Sequence, residues 1–345
     1  LTEQRNRWLT KQRIVIITGI ILVAVLYFYR LPYYLTMPGH AIELSPMIEV
    51  DDVRSEKEGE LMLVTISMST SETNLVEYAL GKMKEYWSLY PADKLRMDGE
   101  SNEEYNQRQL KLMDTSKESA IYVAFTAAGE DVSRTFLGAY VSYIEDGLPA
   151  DGRLQIGDTL KAINGEPITK GDDLSRMITS IGADSDVTLT VERDGESIDV
   201  TMPIVVDEIA GEKKPMIGIG MTFDYDVQSD PDVHIKSESI GGPSAGLMFT
   251  LEIYSQLMHE DITKGRSIAG TGTMNFEGLV GPIGGIKQKV VAADNENADV
   301  FFAPVLGDNY SDAKETADDI GTDMEIVPVQ TFDDALRYLE QMQSS

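Results

Sequence analysis

The chain has 345 residues, 42% of them apolar and 25% charged, the composition of a folded protein long enough for two or three cores. Its net charge of −29, with no basic stripe, excludes a nucleic-acid binder, because a phosphate backbone would be repelled. There is no cysteine, and the three histidines, His40, His234 and His259, are scattered, which leaves no disulfide, no thiolate chemistry and no zinc spacing; no metal or other cofactor is expected.

Ile14 to Tyr29 reads IVIITGIILVAVLYFY, sixteen residues without a charge. Crossing a bilayer takes roughly 20 apolar residues, a length reached only if Arg30 snorkels or the patch Leu31–Leu35 contributes. Trp8, Tyr27, Tyr29, Tyr33 and Tyr34 flank the run as interfacial aromatics do. Arg5, Arg7, Lys11 and Arg13 precede it, and the chain beyond is acidic. The expectation is one N-terminal transmembrane helix over 14–35, a cytoplasmic tail over 1–13 and all later residues outside the cell membrane. The competing reading is a cleaved signal peptide, but no small-x-small site follows the run.

Residues 36–60 hold Pro38, Gly39, Pro46 and a charged stretch from Asp51 to Glu60, and read as an exposed lead-in. Leu61–Met68 (LMLVTISM) is a strand candidate. Residues 75–118 read as helical, with Leu, Met and Tyr recurring among Glu and Lys, and Ile121–Phe125 (IYVAF) as a second strand.

Residues 126–205 alternate short strands with turns, and Asn164-Gly165 and Asp194-Gly195 are hairpin signals between β-prone runs. The run Gly152-x-Leu154-x-x-Gly157-Asp158-x-Leu160-x-x-Ile163-Asn164-Gly165 resembles a PDZ domain over about 80 residues. That resemblance implies a carboxylate-binding loop at Leu137, Gly138, Ala139 and Tyr140, where a peptide C-terminus would add a strand. A PDZ unit that only spaces or gates its neighbour remains the alternative. From Ile217 onward, strand-like runs (IGIGMTF, DVFFAPV, MEIVPV) alternate with helical ones, an α/β pattern.

Two segments carry chemistry. In Gly241-Gly242-Pro243-Ser244-Ala245-Gly246, Ser244 stands where an apolar helix opens, beside free backbone N–H groups that can hold a developing oxyanion. On spacing alone the plainer reading of Ser244 is a helix N-cap. In Gly281-Pro-Ile-Gly-Gly-Ile-Lys-Gln-Lys289, two lysines follow a Gly-Gly turn into a helix. At about 100° per residue, Lys289 falls among Ala292, Ile286 and Ala293, whereas Lys287 shares a side with Asp294 and reads as a solvated charge. Burial without a carboxylate lowers a lysine's pKa and fits it to accept a proton from serine. A lysine snorkelling at a sheet edge remains the alternative for Lys289.

Together, Gly242–Gly246 (GPSAG), Ala269-Gly-Thr-Gly272 and Pro282–Lys289 (PIGGIKQK) resemble the Lon protease family. The resemblance implies an α/β (α+β) Lon-type proteolytic domain over 206–345. It makes Ser244 the nucleophile, Lys289 the base and Thr271 the support of the lysine, with the Ser244 and Ala245 N–H groups as oxyanion donors. Residues 36–125 are left as an α/β segment outside the membrane that could join this domain.

Lon proteases typically carry Asp three residues before the serine; here that position is Gly241. No GxxxxGK[ST] loop occurs, so no ATP is expected. The whole resembles the membrane-anchored, PDZ-containing Lon-like proteases of Gram-positive bacteria. That implies an ATP-independent serine endopeptidase acting on secreted peptides or flexible proteins, with assembly into a homo-oligomeric ring as in other Lon-type domains. A chymotrypsin-like enzyme would need a GxSGG serine and a placed His and Asp. A non-catalytic PDZ scaffold would not need Ser244, Thr271 and Lys289 intact.

Overall fold

The computed structural model describes residues 2–51, 58–96, 102–170, 173–183, 185–209, 212–237 and 240–342. Most of the charged stretch 51–60 lies outside them, as do Glu238, just ahead of the serine motif, and the side chains of Arg5, Arg7, Trp8 and Lys11.

Helix α1 (Thr2–Phe28) leads into β1 (Tyr33–Glu43), β2 (Ile48–Val50), β3 (Glu60–Met68), α2 (Leu75–Met83), β4 (Ser88–Pro91), a single turn α3 (Ala92–Leu95) and the long helix α4 (Asn102–Ala128). There follow β5 (Asp131–Ile144), β6 (Thr159–Ile163), β7 (Glu166–Pro167), α5 (Asp173–Ile181), β8 (Asp186–Arg193), β9 (Glu196–Pro203), β10 (Val205–Ile209), β11 (Glu212–Met216) and β12 (Ile219–Asp230). The remainder is β13 (Val233–Ile235), α6 (Gly246–Leu257), β14 (Ser267–Gly270), β15 (Thr273–Met274), β16 (Val280–Gly281), α7 (Ile286–Asn295), β17 (Val300–Pro304), α8 (Asn309–Ile320), β18 (Glu325–Val329) and α9 (Phe332–Gln341).

The apolar run lies in α1, with Ile14 through Phe28 largely exposed. The helix stops at Phe28, and Leu31–Leu35 do not lengthen it. Tyr33 opens β1, the Leu31 N–H bonds to the Thr73 carbonyl, and Tyr34 and Leu35 are buried. The expected span 14–35 is therefore corrected at its end: the helix does not continue past Phe28, because Tyr33, Tyr34 and Leu35 enter a sheet, where Tyr34 and Leu35 are buried. Among the described residues, no helix is long and apolar enough to cross a membrane.

One six-stranded sheet has the order β18-β17-β14-β3-β1-β4. Strands β3, β14, β17 and β18 run parallel, and β1 lies antiparallel to β3 and β4. Alternate side chains of a strand point to opposite faces, so a parallel sheet covered on both sides reads as a continuous apolar run. LMLV obeys this: Leu61 and Leu63 join a core with α4, α6 and α9, while Met62 and Val64 join one with α7 and α8. The segment 36–125 thus supplies half of this sheet and one of its covering helices.

Within that segment two expectations are corrected. Ile121–Phe125 is not a strand but the last turns of α4, whose Met113, Ala120, Ala124 and Phe125 are buried against α6. Tertiary packing outweighs the β preference of Ile, Tyr and Val. The continuous helical reading of 75–118 breaks where Ser88–Pro91 pairs with Tyr33–Thr36.

The second sheet runs β12-β5-β6-β8-β9, with β7 beside β6 and α5 packed on it. Its core is Ala139, Val141, Leu160, Ile163, Val187, Leu189 and Val191. Both hairpin signals are real turns: Asn164, Gly165, Asp194 and Gly195 all take positive φ, as two-residue hairpins require. The expected boundary at 205/206 is crossed, because β12 pairs with β5 along its whole length, from Ile219↔Ile144 to Asp230↔Asp131. This unit is inserted between α4 and β13, and its two ends lie opposite each other.

Candidate active site

Thr271 follows directly on β14, at the carboxyl end of the parallel strands, where open α/β sheets bind ligands. Its N–H donates to the Phe302 carbonyl of β17 at 3.1 Å. Helix α6 sits in the core on one face of the sheet and α7 in that on the other. Ser244 and Lys289 therefore reach Thr271 from opposite sides.

The Lys289 Nζ donates to the Ser244 Oγ at 2.7 Å and to the Thr271 Oγ1 at 2.9 Å. The Thr271 Oγ1 donates to the Ser244 carbonyl at 3.0 Å, and the Gly272 N–H donates to the same oxygen at 2.9 Å. Lys289 is 3% exposed and Thr271 is fully buried. Burial alone pulls the lysine down from 10.5 to about 7, and among the described residues no carboxylate pairs with it. Near neutral pH it is thus divided between charged and neutral forms, the state a general base needs.

Local sequence explains the placement. Gly285 caps α7 in the left-handed conformation (φ 72°, ψ 32°), which glycine adopts without steric cost. It lets the PIGG turn reverse into the helix, and Lys289 falls on the face with Ile286, Val290 and Ala293, all buried. Lys287 points out, bonded to Glu315 at 2.7 Å. That partner raises the Lys287 pKa. Ser244 does not cap α6: the N-cap is Ala245, and no side chain caps this end. Its hydroxyl is free to meet Lys289. Among the described residues, neither the Ser244 nor the Ala245 N–H donates to a backbone carbonyl.

Several residues of the site have no local sequence signal. Asn309 accepts from the Ile283 N–H at 2.8 Å and donates back to the Ile283 carbonyl at 3.0 Å, which fixes the turn before α7. Helix α4 holds the turn before Ser244: the Gly242 N–H donates to the Gln109 carbonyl at 2.9 Å, and the Ser116 Oγ donates to the Pro243 carbonyl at 3.0 Å. A Cβ on Gly241 would lie 2.9 Å from the Gln109 Cβ, so α4 fills the space where the Lon pattern has an aspartate side chain.

The proposed peptide loop is displaced. Leu137, Gly138, Ala139 and Tyr140 form no loop but the middle of β5. Ala139 pairs with both Phe223 and Leu160, and Tyr140 with both Thr222 and Thr159. Strands on both sides leave no room for an added one. On this side the outer strand is β12.

Residues 196–341 match the profile of the Lon protease (S16) C-terminal proteolytic domain, and residues 109–204 match that of the PDZ domain. The Lon protease of Metamycoplasma arthritidis is 32% identical over 119 residues, 34% of this chain and 14% of that protein. The Lon protease of Campylobacter jejuni is 37% identical over 98 residues, 28% of this chain and 12% of that protein. The chain therefore spans only a small part of the curated relatives it matches. Among solved structures, the PDZ domain of the SdrC-like protein from Listeria monocytogenes is 23% identical, covering 24% of this chain and 86% of that one, with a TM-score of 0.23.

These matches give the class that the chain resembles: residues 196–341 are similar to the proteolytic domain of Lon-type serine peptidases, and residues 109–204 to a PDZ domain. The profile boundaries differ from the structural ones. The first match begins at Glu196, in a strand of the inserted sheet, and leaves out β1 and β3 of the peptidase sheet.

Proposed function

We propose that this chain is an ATP-independent serine endopeptidase in which Ser244 is the nucleophile and Lys289 the general base, acting on secreted peptides or flexible proteins. The carrying observation is the buried Lys289 Nζ, 2.7 Å from the Ser244 Oγ, with no carboxylate partner among the described residues. The neutral amine takes the Ser244 proton as Oγ attacks the scissile carbonyl. The N–H groups of Ser244 and Ala245 hold the tetrahedral oxyanion. Lys289 then gives its proton to the leaving amine and later activates the water that releases the acyl group. Thr271 accepts from the lysine throughout and keeps its lone pair aimed at Oγ.

ATP-independence is carried over from the resemblance to Lon-like proteases, and residues 1–345 hold no GxxxxGK[ST] loop; it would restrict substrates to chains that need no forced unfolding. Assembly into a ring is carried over from the Lon-type resemblance. The test is hydrolysis of an unfolded model protein by the full chain without ATP. Ser244→Ala and Lys289→Ala should each lower turnover at least about a thousandfold, as loss of a nucleophile or its base does. Full activity in both variants would end the dyad assignment.

A membrane seat for α1, with the peptidase on the outer side, belongs to the same proposal. It is supported by the side chains Ile14, Val15, Ile16, Ile17, Ile20 and Ile21, all more than half exposed to the surroundings of the helix. Retention of the full chain in a carbonate-washed membrane fraction, with Lys84 open to external protease, is the expected result. Release into the wash argues against it.

A further inference from the structure

Helix α4 carries two pairs of residues spaced by seven, and seven residues make almost two whole turns. Gln109 and Ser116 share one side and hold the turn before Ser244. Lys111 and Glu118 share another side, about 160° away at 100° per residue. That side meets the inserted domain: Lys111 is ion-paired with Asp224 of β12. One turn beyond Glu118, the Tyr122 ring lies 4.7 Å from the Arg134 guanidinium of β5. The same guanidinium lies 4.6 Å from the ring of Phe276, in the loop between β15 and β16. The β5–β12 ribbon is thus fixed to α4 and to a peptidase loop at once. Among the described residues, Ser116 is the side chain that bonds the Pro243 carbonyl, while Thr271 bonds the next carbonyl, that of Ser244.

We propose that α4 is a positioning element that transmits the seating of the PDZ ribbon to the nucleophile. Ser116 and Gln109 set the Gly241–Ser244 turn, and the Lys111–Asp224 pair sets α4. This rests on Ser244 being the nucleophile. When the ribbon is seated, the Pro243 carbonyl is held, and the Ser244 Oγ and the adjoining N–H groups keep their geometry relative to Lys289. When the pair is broken, the helix retains its core contacts and the Tyr122–Arg134 contact but loses its ion pair to β12, which loosens its register there. The cost then falls on turnover rather than on substrate binding, since none of these four residues touches the dyad.

The experiment uses the full chain and two readouts: the rate at which a fluorophosphonate labels Ser244, and kcat and KM on an unstructured peptide. Lys111→Met and Asp224→Asn should each slow labelling and kcat by about three- to tenfold, the scale of one lost, partly exposed ion pair, with KM changed less than about twofold. Lys111→Arg should restore most of the loss, since it keeps the pair with Asp224. Ser116→Ala should fall in the same range, and Lys111→Met with Ser116→Ala should cost no more than the larger single change, because both act through one element. Wild-type labelling in Lys111→Met, or single losses that multiply in the double variant, overturns the proposal while leaving the dyad intact. Equal labelling of wild type and Ser244→Ala removes the nucleophile reading and this proposal with it.

Discussion

Lys289 has its charge set by burial alone, and this fixes both the pH dependence of the site and its cost in stability. Activity should rise with pH as a single proton leaves at about 7, the value to which the lysine is lowered. A kcat/KM profile between pH 5 and 9 reads this directly. Below that value the lysine is protonated in both folded and unfolded chains, and the cost of a buried charge is fully present. Between about 7 and 10.5 the unfolded chain binds the extra proton, so stability rises with pH across that window. In Lys289→Met the rise should vanish, as urea midpoints at pH 6.5 and 9 will show. Thr271→Val removes the acceptor that orients the amine and should lower kcat about tenfold, near 1.4 kcal/mol. Ser244, Thr271 and Lys289 were legible in the sequence because short motifs and one helical face mark them. Gln109, Ser116 and Asn309 were not: each acts through a bond to a distant turn, and nothing in its own neighbourhood differs from an ordinary polar helix residue.

Helix α4 shows why some elements could not be read locally. Its IYVAF segment has strand composition, yet it packs Ala124 and Phe125 into the core beneath α6. Only the partner decides between the two forms. The strand Ser88–Pro91 is four residues long, too short for any period to declare itself. By contrast, LMLV and the two Gly-ending hairpins carry their signal within a few residues, and they fold as read. The same helix carries Glu118, raised to about 7 by burial first, with Lys111 opposing and Asp224, Asp114 and Asp226 adding to the rise. Its Oε2 finds no hydrogen-bond partner among the described residues. The folded chain keeps this proton while the unfolded one loses it from 4.5 upward, so stability should fall as pH rises from about 4.5 to 7. Glu118→Gln should flatten that descent, and thermal melts at pH 5 and 8 will measure it. At the start of α7, Gly285→Ala forces a left-handed alanine whose Cβ would lie 3.0 Å from the Ile66 Cγ2. A loss of about 1–2 kcal/mol in denaturant unfolding is expected.

At the scale of the whole molecule, the peptidase domain is split by its neighbour, a feature that linear order conceals. The serine and lysine segments lie in the second half of the chain, and so does the profile match, but the sheet beneath them is completed by β1, β3 and β4 from the first. Removing residues 30–95 should therefore abolish folding of the peptidase unit, as loss of cooperative melting would show. The insertion also bears on how the chain finds its form. Strand β14 must pair with β3 across some two hundred residues, Ser267 against Glu60. Once the inserted sheet has formed, Asp131 and Asp230 are cross-strand neighbours and the intervening hundred residues cease to act as slack. Halving a loop recovers only about 0.6 kcal/mol of closure entropy, so the gain lies less in final stability than in sequence of events. The PDZ unit can condense from local hairpins while the peptidase sheet is still open, and its closed ends then bring α4 toward the segment that carries Ser244. A core change such as Leu189→Ala, buried wholly within the insert, should slow refolding of the peptidase although it lies in a different core.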